Sequence, residues 1–135
     1  MLDPAQSAYD IPHLSHYEEI RRRVAARDRH PNLRELYGGK GAGLIYIACL
    51  AEPTEDGFVL PSSLPRSGLH KSDSDRLDAE ILKHLRILER DVAAHRTNPR
   101  RLGDPHCPLL LAIRGGSVFS MPGMLSTIVF LGIND

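Results

Sequence analysis

The segment Arg114-Gly115-Gly116-Ser117-Val118-Phe119-Ser120-Met121-Pro122-Gly123-Met124 joins one fixed cation to a glycine-bearing loop, and these residue types hold phosphate. Arginine offers a planar fork of donors to phosphate oxygens, and glycine lets backbone amides approach them closely. The segment follows the apolar run Pro108-Leu109-Leu110-Leu111-Ala112-Ile113, which reads as a buried strand that ends by delivering the arginine. A second candidate lies earlier, where Leu36-Tyr37-Gly38-Gly39-Lys40-Gly41-Ala42-Gly43-Leu44 runs into the apolar stretch Ile45 to Ala51. This reads as a glycine turn opening onto a helix, whose first amides and dipole, with Lys40 beside them, attract an anion. It meets neither standard nucleotide pattern. A Walker A loop requires serine or threonine after the lysine and a glycine six residues before it, and Gly41 and Arg34 stand there. A dinucleotide fingerprint requires a preceding strand, which Asn32 to Leu36 does not offer. Taken by itself, the segment is either a tight turn or an anion site.

The elements that must position these groups follow from patterning. Residues 1 to 14 are polar with two prolines and read as a loose leader. Ser15 and Glu18 have capping-box spacing, and Tyr17, Ile20 and Val24 form a stripe opposite Arg21, Arg22, Arg23 and Arg27. That predicts an amphipathic helix whose arginine face is solvated or meets a phosphate or partner. Residues 52 to 76 carry Pro53, Gly57, Pro61, Pro65 and Gly68 among polar residues and read as irregular, with Gly57 to Leu60 a short strand. Ser74 or Asp75 then caps a long helix along Leu77, Ile81, Leu85, Leu88 and Val92, stopped by Thr97-Asn98-Pro99. After the Pro122-Gly123 turn, Met124 to Leu131 reads as a last short helix ending at Gly132.

Composition narrows the function classes. At 135 residues the chain is about one domain, and its 17 basic residues balance 17 acidic ones, which argues against nucleic acid or an anionic membrane as partner. Cys49 and Cys107 are far apart and fit a reducing compartment. With no signal-like start and no apolar run of about 18 residues, the expectation is a cytoplasmic protein. The seven histidines show no metal spacing, His13 and His16 lacking a nearby third ligand, so neither a metal site nor a catalytic residue is assigned.

Taken together, the two cationic segments resemble the pyruvate phosphate dikinase family. Gly38 to Leu44 is similar to the family's GGKGANL opening. The family's R-S-G-A, S-M-P-G-M-M-D-T and L-G-L-N-D pattern stands here as Arg114-Gly115-Gly116-Ser117, Ser120 to Thr127 and Leu131-Gly132-Ile133-Asn134-Asp135. Phosphoenolpyruvate synthase and the glucan dikinases share the lysine and arginine elements but carry a different loop. The likeness spans residues 36 to 135 and is weakest over 52 to 76. Departures are Gly115 in place of serine and Leu125-Ser126 in place of methionine and aspartate.

The resemblance implies an α+β fold, the first lobe of an ATP-grasp domain with a small mixed sheet flanked by helices. Residues 1 to 35 would form a leader and helix, and residues 36 to 135 a partial nucleotide-binding domain. ATP or AMP would be the ligand, its phosphates met by Gly39, Lys40, Gly41, Arg114 and the loop Ser120, Met121, Pro122, Gly123 and Met124. Mg2+ is implied for the complete enzyme, with its acidic ligands on a second lobe. There ATP, phosphate and pyruvate become AMP, pyrophosphate and phosphoenolpyruvate through a phosphohistidine, and no histidine here stands in that context. The expectation is a portion inactive alone, self-associated or completed by a partner, since the apolar strand and Thr127 to Leu131 want cover. The alternatives are a non-catalytic nucleotide or phosphate module and an interaction protein using the arginine face.

Overall fold

The computed structural model describes residues 10–26, 32–52, 54–64, 70–116 and 127–132. In chain order they form α1 (Tyr17–Ala26), α2 (Leu33–Cys49), α3 (Lys71–Ala94), β1 (Leu111–Arg114) and β2 (Thr127–Leu131). This is a small α+β arrangement of three helices and a two-stranded antiparallel sheet. No helix among the described residues is long and apolar enough to cross a membrane.

The main core forms where α1 lies on α2. Ile20 meets Leu33, Tyr37, Ala42, Ile45 and Ala48, with Leu14 added from the residues before α1. Ile20 and Ile45 are almost fully buried, each contributing about 1.5–3 kcal/mol in area terms. The stripe read for α1 is therefore the face that packs. Of its arginines, Arg21 pairs with Glu18 and donates to the Cys49 carbonyl at the end of α2, and Arg23 pairs with Asp10 and Glu19, while Arg27 lies outside the described residues. The expected capping role of Ser15 is not realised. Its hydroxyl reaches Asp91 on α3 instead, and the first turn starts with the Ile20 amide donating to the His16 carbonyl.

The loose leader is also corrected over its last residues. Ile11, Pro12, His13 and Leu14 are buried. They lie beside Gly57, Phe58 and Val59: the Leu14 amide donates to the Gly57 carbonyl at 2.8 Å, and the Val59 amide to the Pro12 carbonyl at 3.0 Å. The strand read at Gly57 to Leu60 is thus a single bridge, His13 to Phe58. α3 begins at Lys71, ahead of the Ser74 or Asp75 cap, with His70 as N-cap. Of its apolar stripe, Leu88 and Val92 are fully buried and pack with Leu109, while Leu77, Ile81 and Leu85 are half-buried.

Two further expectations change at the C-terminal end. Thr127 to Leu131 is a strand, not a helix. Thr127, Ile128 and Val129 are β-branched and favour the pleated backbone, and β1 supplies the partner. The register pairs Leu111 with Leu131, Ile113 with Ile128 and Arg114 with Thr127, so β2 carries one extra residue around Val129-Phe130. Phe130 absorbs it at φ 57°, in the left-handed region. The strand ending in Arg114 is not buried either. Leu109 is buried just before it, but Ala112, Ile113 and Arg114 are exposed, because the two-stranded ribbon leaves both faces open.

Candidate functional site

The glycine segment is built around one backbone break. Asn32 caps α2, its side chain accepting from the Arg34 amide at 3.1 Å, and the helix runs to Tyr37. Gly38 then takes φ 73° and ψ 170°, a region essentially restricted to glycine, and the helix restarts. A restarted helix presents a fresh set of N-terminal amides, here at Gly39, Lys40 and Gly41. Gly39 and Lys40 are exposed, whereas Gly41 is buried under Val59. A β-carbon on Gly41 would lie 2.7 Å from Val59 Cγ1, so glycine is required there for packing as well. The glycine turn is therefore a one-residue interruption inside a helix.

Arg114 ends β1 with its side chain half exposed and its Nη2 3.9 Å from Glu55 Oε2. That contact is long and solvated, leaving most of the guanidinium's donors to solvent. Beyond Arg114 the chain passes the glycine break: a β-carbon on Gly116 would stand 3.7 Å from the Tyr37 carbonyl oxygen. The segment 54–60 touches both elements, through Glu55 to Arg114 and Val59 to Gly41. The structure thus makes the glycine break, residues 55–59 and the exit of β1 neighbours. No hydrogen bond or ion pair joins Lys40 to Arg114 or to a common third residue among the described residues. Ser120, Met121, Pro122, Gly123 and Met124 lie outside the described residues.

Comparison with known proteins bears on these segments. The chain is 36% identical over 107 residues to the chloroplastic pyruvate, phosphate dikinase of Mesembryanthemum crystallinum, a match covering 76% of this chain and 10% of that one. It is 38% identical over 106 residues to pyruvate, phosphate dikinase 2 of Zea mays, covering 77% of this chain and 11% of the relative. With pyruvate, phosphate dikinase of Entamoeba histolytica the identity is 30% over 118 residues, or 86% of this chain and 13% of the other. The chain is a relative of the pyruvate, phosphate dikinases. It spans about a tenth of the length of the dikinases it matches. No protein-family model matches it.

Two groupings escaped the reading of the dikinase-like segments. Glu55 stands opposite Arg114 from a stretch that composition marked only as irregular. The other is a buried set of histidines: His13 before α1 and His84 on α3, 6% and 5% exposed, joined at 2.8 Å between Nε2 and Nδ1. His16 stacks on His13 and pairs with Asp91 at 2.9 Å. A signal for His84 was available, since it stands three residues after Ile81 and four before Leu88, on the packing face of α3. Burial lowers His13 to about 3, and the neighbouring His84, His16, Arg23 and Arg90 act in the same direction. Burial also lowers His84, against an opposing pull from Glu80. The two cysteines are both free, and burial raises the Cys49 thiol.

Proposed function

We propose that these residues form the N-terminal, ATP-binding portion of a pyruvate phosphate dikinase-like phosphotransferase. In this reading residues 36 to 135 belong to the first lobe of an ATP-grasp domain, with residues 1 to 35 as its leader and helix. Lys40 and Arg114 supply the positive charge for the triphosphate, Lys40 as a point charge beside the Gly39 and Gly41 amides and Arg114 as a fork. Ser120 to Met124 closes over the distal phosphates. Phosphoryl transfer requires mainly positioned charge and in-line alignment, which such groups provide. The observation that carries the reading is the approach of Gly116, two residues past the arginine, to the carbonyl of Tyr37, next to the glycine break.

The chemistry of the donors fits a nucleotide phosphate: an exposed ammonium at a helix restart and a half-exposed guanidinium with one weak partner. Magnesium belongs to the complete enzyme. Among the described residues no group of three or more His, Cys, Asp or Glu is arranged to hold a metal ion, and no step is assigned to one. The exposed side chains Ile113, Ile128, Val129 and Phe130 suit association with a second lobe, a partner or another copy. The free cysteines accord with a cytoplasmic location.

Calorimetric titration with ATP tests the reading. Lys40→Ala and Arg114→Ala should each weaken binding by about tenfold or more, the scale of a lost charge-assisted contact. Unchanged affinity in both variants rejects the site. Addition of a second ATP-grasp lobe together with the dikinase phosphohistidine domain should give phosphoryl transfer from ATP to that histidine. Tight ATP binding without transfer would mark a non-catalytic module instead.

A further inference from the structure

The histidine set has no part in the nucleotide reading, yet it occupies the seam between three pieces of chain. His13 comes from residues 11–14, His84 from α3, and Phe58 from the bridge at 57–59. The His13 ring stacks on His84 at 5.1 Å and on His16 at 5.2 Å, and the Phe58 ring closes over both buried imidazoles at 5.4 and 5.7 Å. The bond between His13 Nε2 and His84 Nδ1 is 2.8 Å, which demands one N–H and one lone pair in the gap. The outer nitrogens, His13 Nδ1 and His84 Nε2, are buried without a hydrogen-bond partner. Carboxylates stand near: Asp91 at 3.8 Å from His13 Nδ1, and Glu80 at 3.3 Å from His84 Nε2, where it favours a proton on that ring.

Proton counting then decides the behaviour. Two neutral imidazoles fill the gap with one shared proton. The other proton of the neutral pair sits on one outer nitrogen; a third proton keeps the gap bond but makes a buried cation, and a fourth sets N–H against N–H in the gap. The surroundings resist that charge. From α1 and its approach come His16 and Arg23, with Glu19 turned to His16; from α3 come Lys83 and Arg90 against Glu80 and Asp91; residues 57–59 contribute the uncharged Phe58 ring.

We propose that the His13–His84 pair is an acid-opened clasp: closed while both rings are neutral, and on protonation letting residues 11–14 part from α3 and from residues 57–59. The consequence reaches further, because 57–59 continues into Val59 on Gly41 and Glu55 beside Arg114. Opening the clasp loosens the cover of the glycine segment. This stands on the ring geometry and does not depend on what binds at Lys40.

Amide hydrogen exchange read by NMR on the intact chain tests it. The reporters are the Leu14 and Val59 amides, which donate across the seam, with Ile45 in the α1–α2 core as control. Each histidine free to titrate at its ordinary 6.5 favours the open form about thirtyfold between pH 7.5 and 5. Protection at Leu14 and Val59, corrected for intrinsic exchange, should fall by at least that factor while Ile45 keeps its protection. The His13 ring resonances should shift with the same midpoint. In a chain carrying His13→Gln and His84→Gln, whose amides bond without titrating, the fall should vanish. The clasp is overturned if protection at Leu14 and Val59 holds, if Ile45 is lost together with them, or if the double variant keeps the same pH profile. Should that variant not fold, the native chain still decides, since a His13 shift uncoupled from Leu14 and Val59 rejects the proposal.

Discussion

Glu89 holds the loop that leads into β1. It is nearly buried on α3, its Oε1 accepting from the Leu102 amide at 2.9 Å and its Oε2 from Arg86 Nη1 at 2.8 Å. Glu89→Ala orphans the Leu102 amide and should cost about 1–3 kcal/mol in urea unfolding, while Glu89→Gln retains an acceptor and recovers part of it. Gly38 offers a second test. Any side chain there must adopt φ 73° and ψ 170°, so Gly38→Ala should destabilise by about 1–3 kcal/mol and, on the proposed function, weaken ATP binding as well. Glu55 should oppose phosphate near Arg114. Glu55→Gln should therefore tighten ATP binding a few-fold at low salt, an effect that fades as ionic strength rises.

At the scale of elements, the contrast between β2 and the long helix α3 is instructive. α3 was legible because Leu88 and Val92 bury on a helical repeat internal to the segment. β2 was misread because its Pro-Gly entry and Gly132 exit look like helix boundaries, while its hydrogen bonds go to β1, more than ten residues away. A strand's ladder partner leaves no period in its own sequence. The bulge makes a testable point: Phe130 is exposed and held at φ 57°, so Phe130→Gly should be neutral or stabilising by up to about 1 kcal/mol in thermal unfolding. Ile128→Gly, at a regular pair, should destabilise.

Across the whole molecule, the neutral histidines make stability depend on pH. The folded state holds His13 near 3 against an ordinary 6.5, so the unfolded chain binds more protons between those values. Stability is therefore fully present above about pH 6.5 and declines as pH falls toward 3, by at most about 1.4 kcal/mol per pH unit for this group. Urea midpoints measured from pH 7.5 to 4.5 should fall accordingly, and a flat profile would count against neutral burial. The open ribbon adds a second global property. With Ile113, Ile128, Val129 and Phe130 all exposed, sedimentation should show concentration-dependent association, reduced by Ile128→Lys.

The sequence by itself determined α1 with its packing stripe, the stop after α3, the need for glycine next to Lys40 and the kinship with the dikinases. Each of these is written within a short window, as a period, a cap or a run of residue types. It did not determine that residues 11–14 pack beside 57–59, that His13 meets His84, that Glu55 faces Arg114, or that Thr127 to Leu131 pairs as a strand. Those are contacts between distant positions. Which ones form depends on the burial and hydrogen bonds available once the elements have packed, and only the tertiary structure decides that.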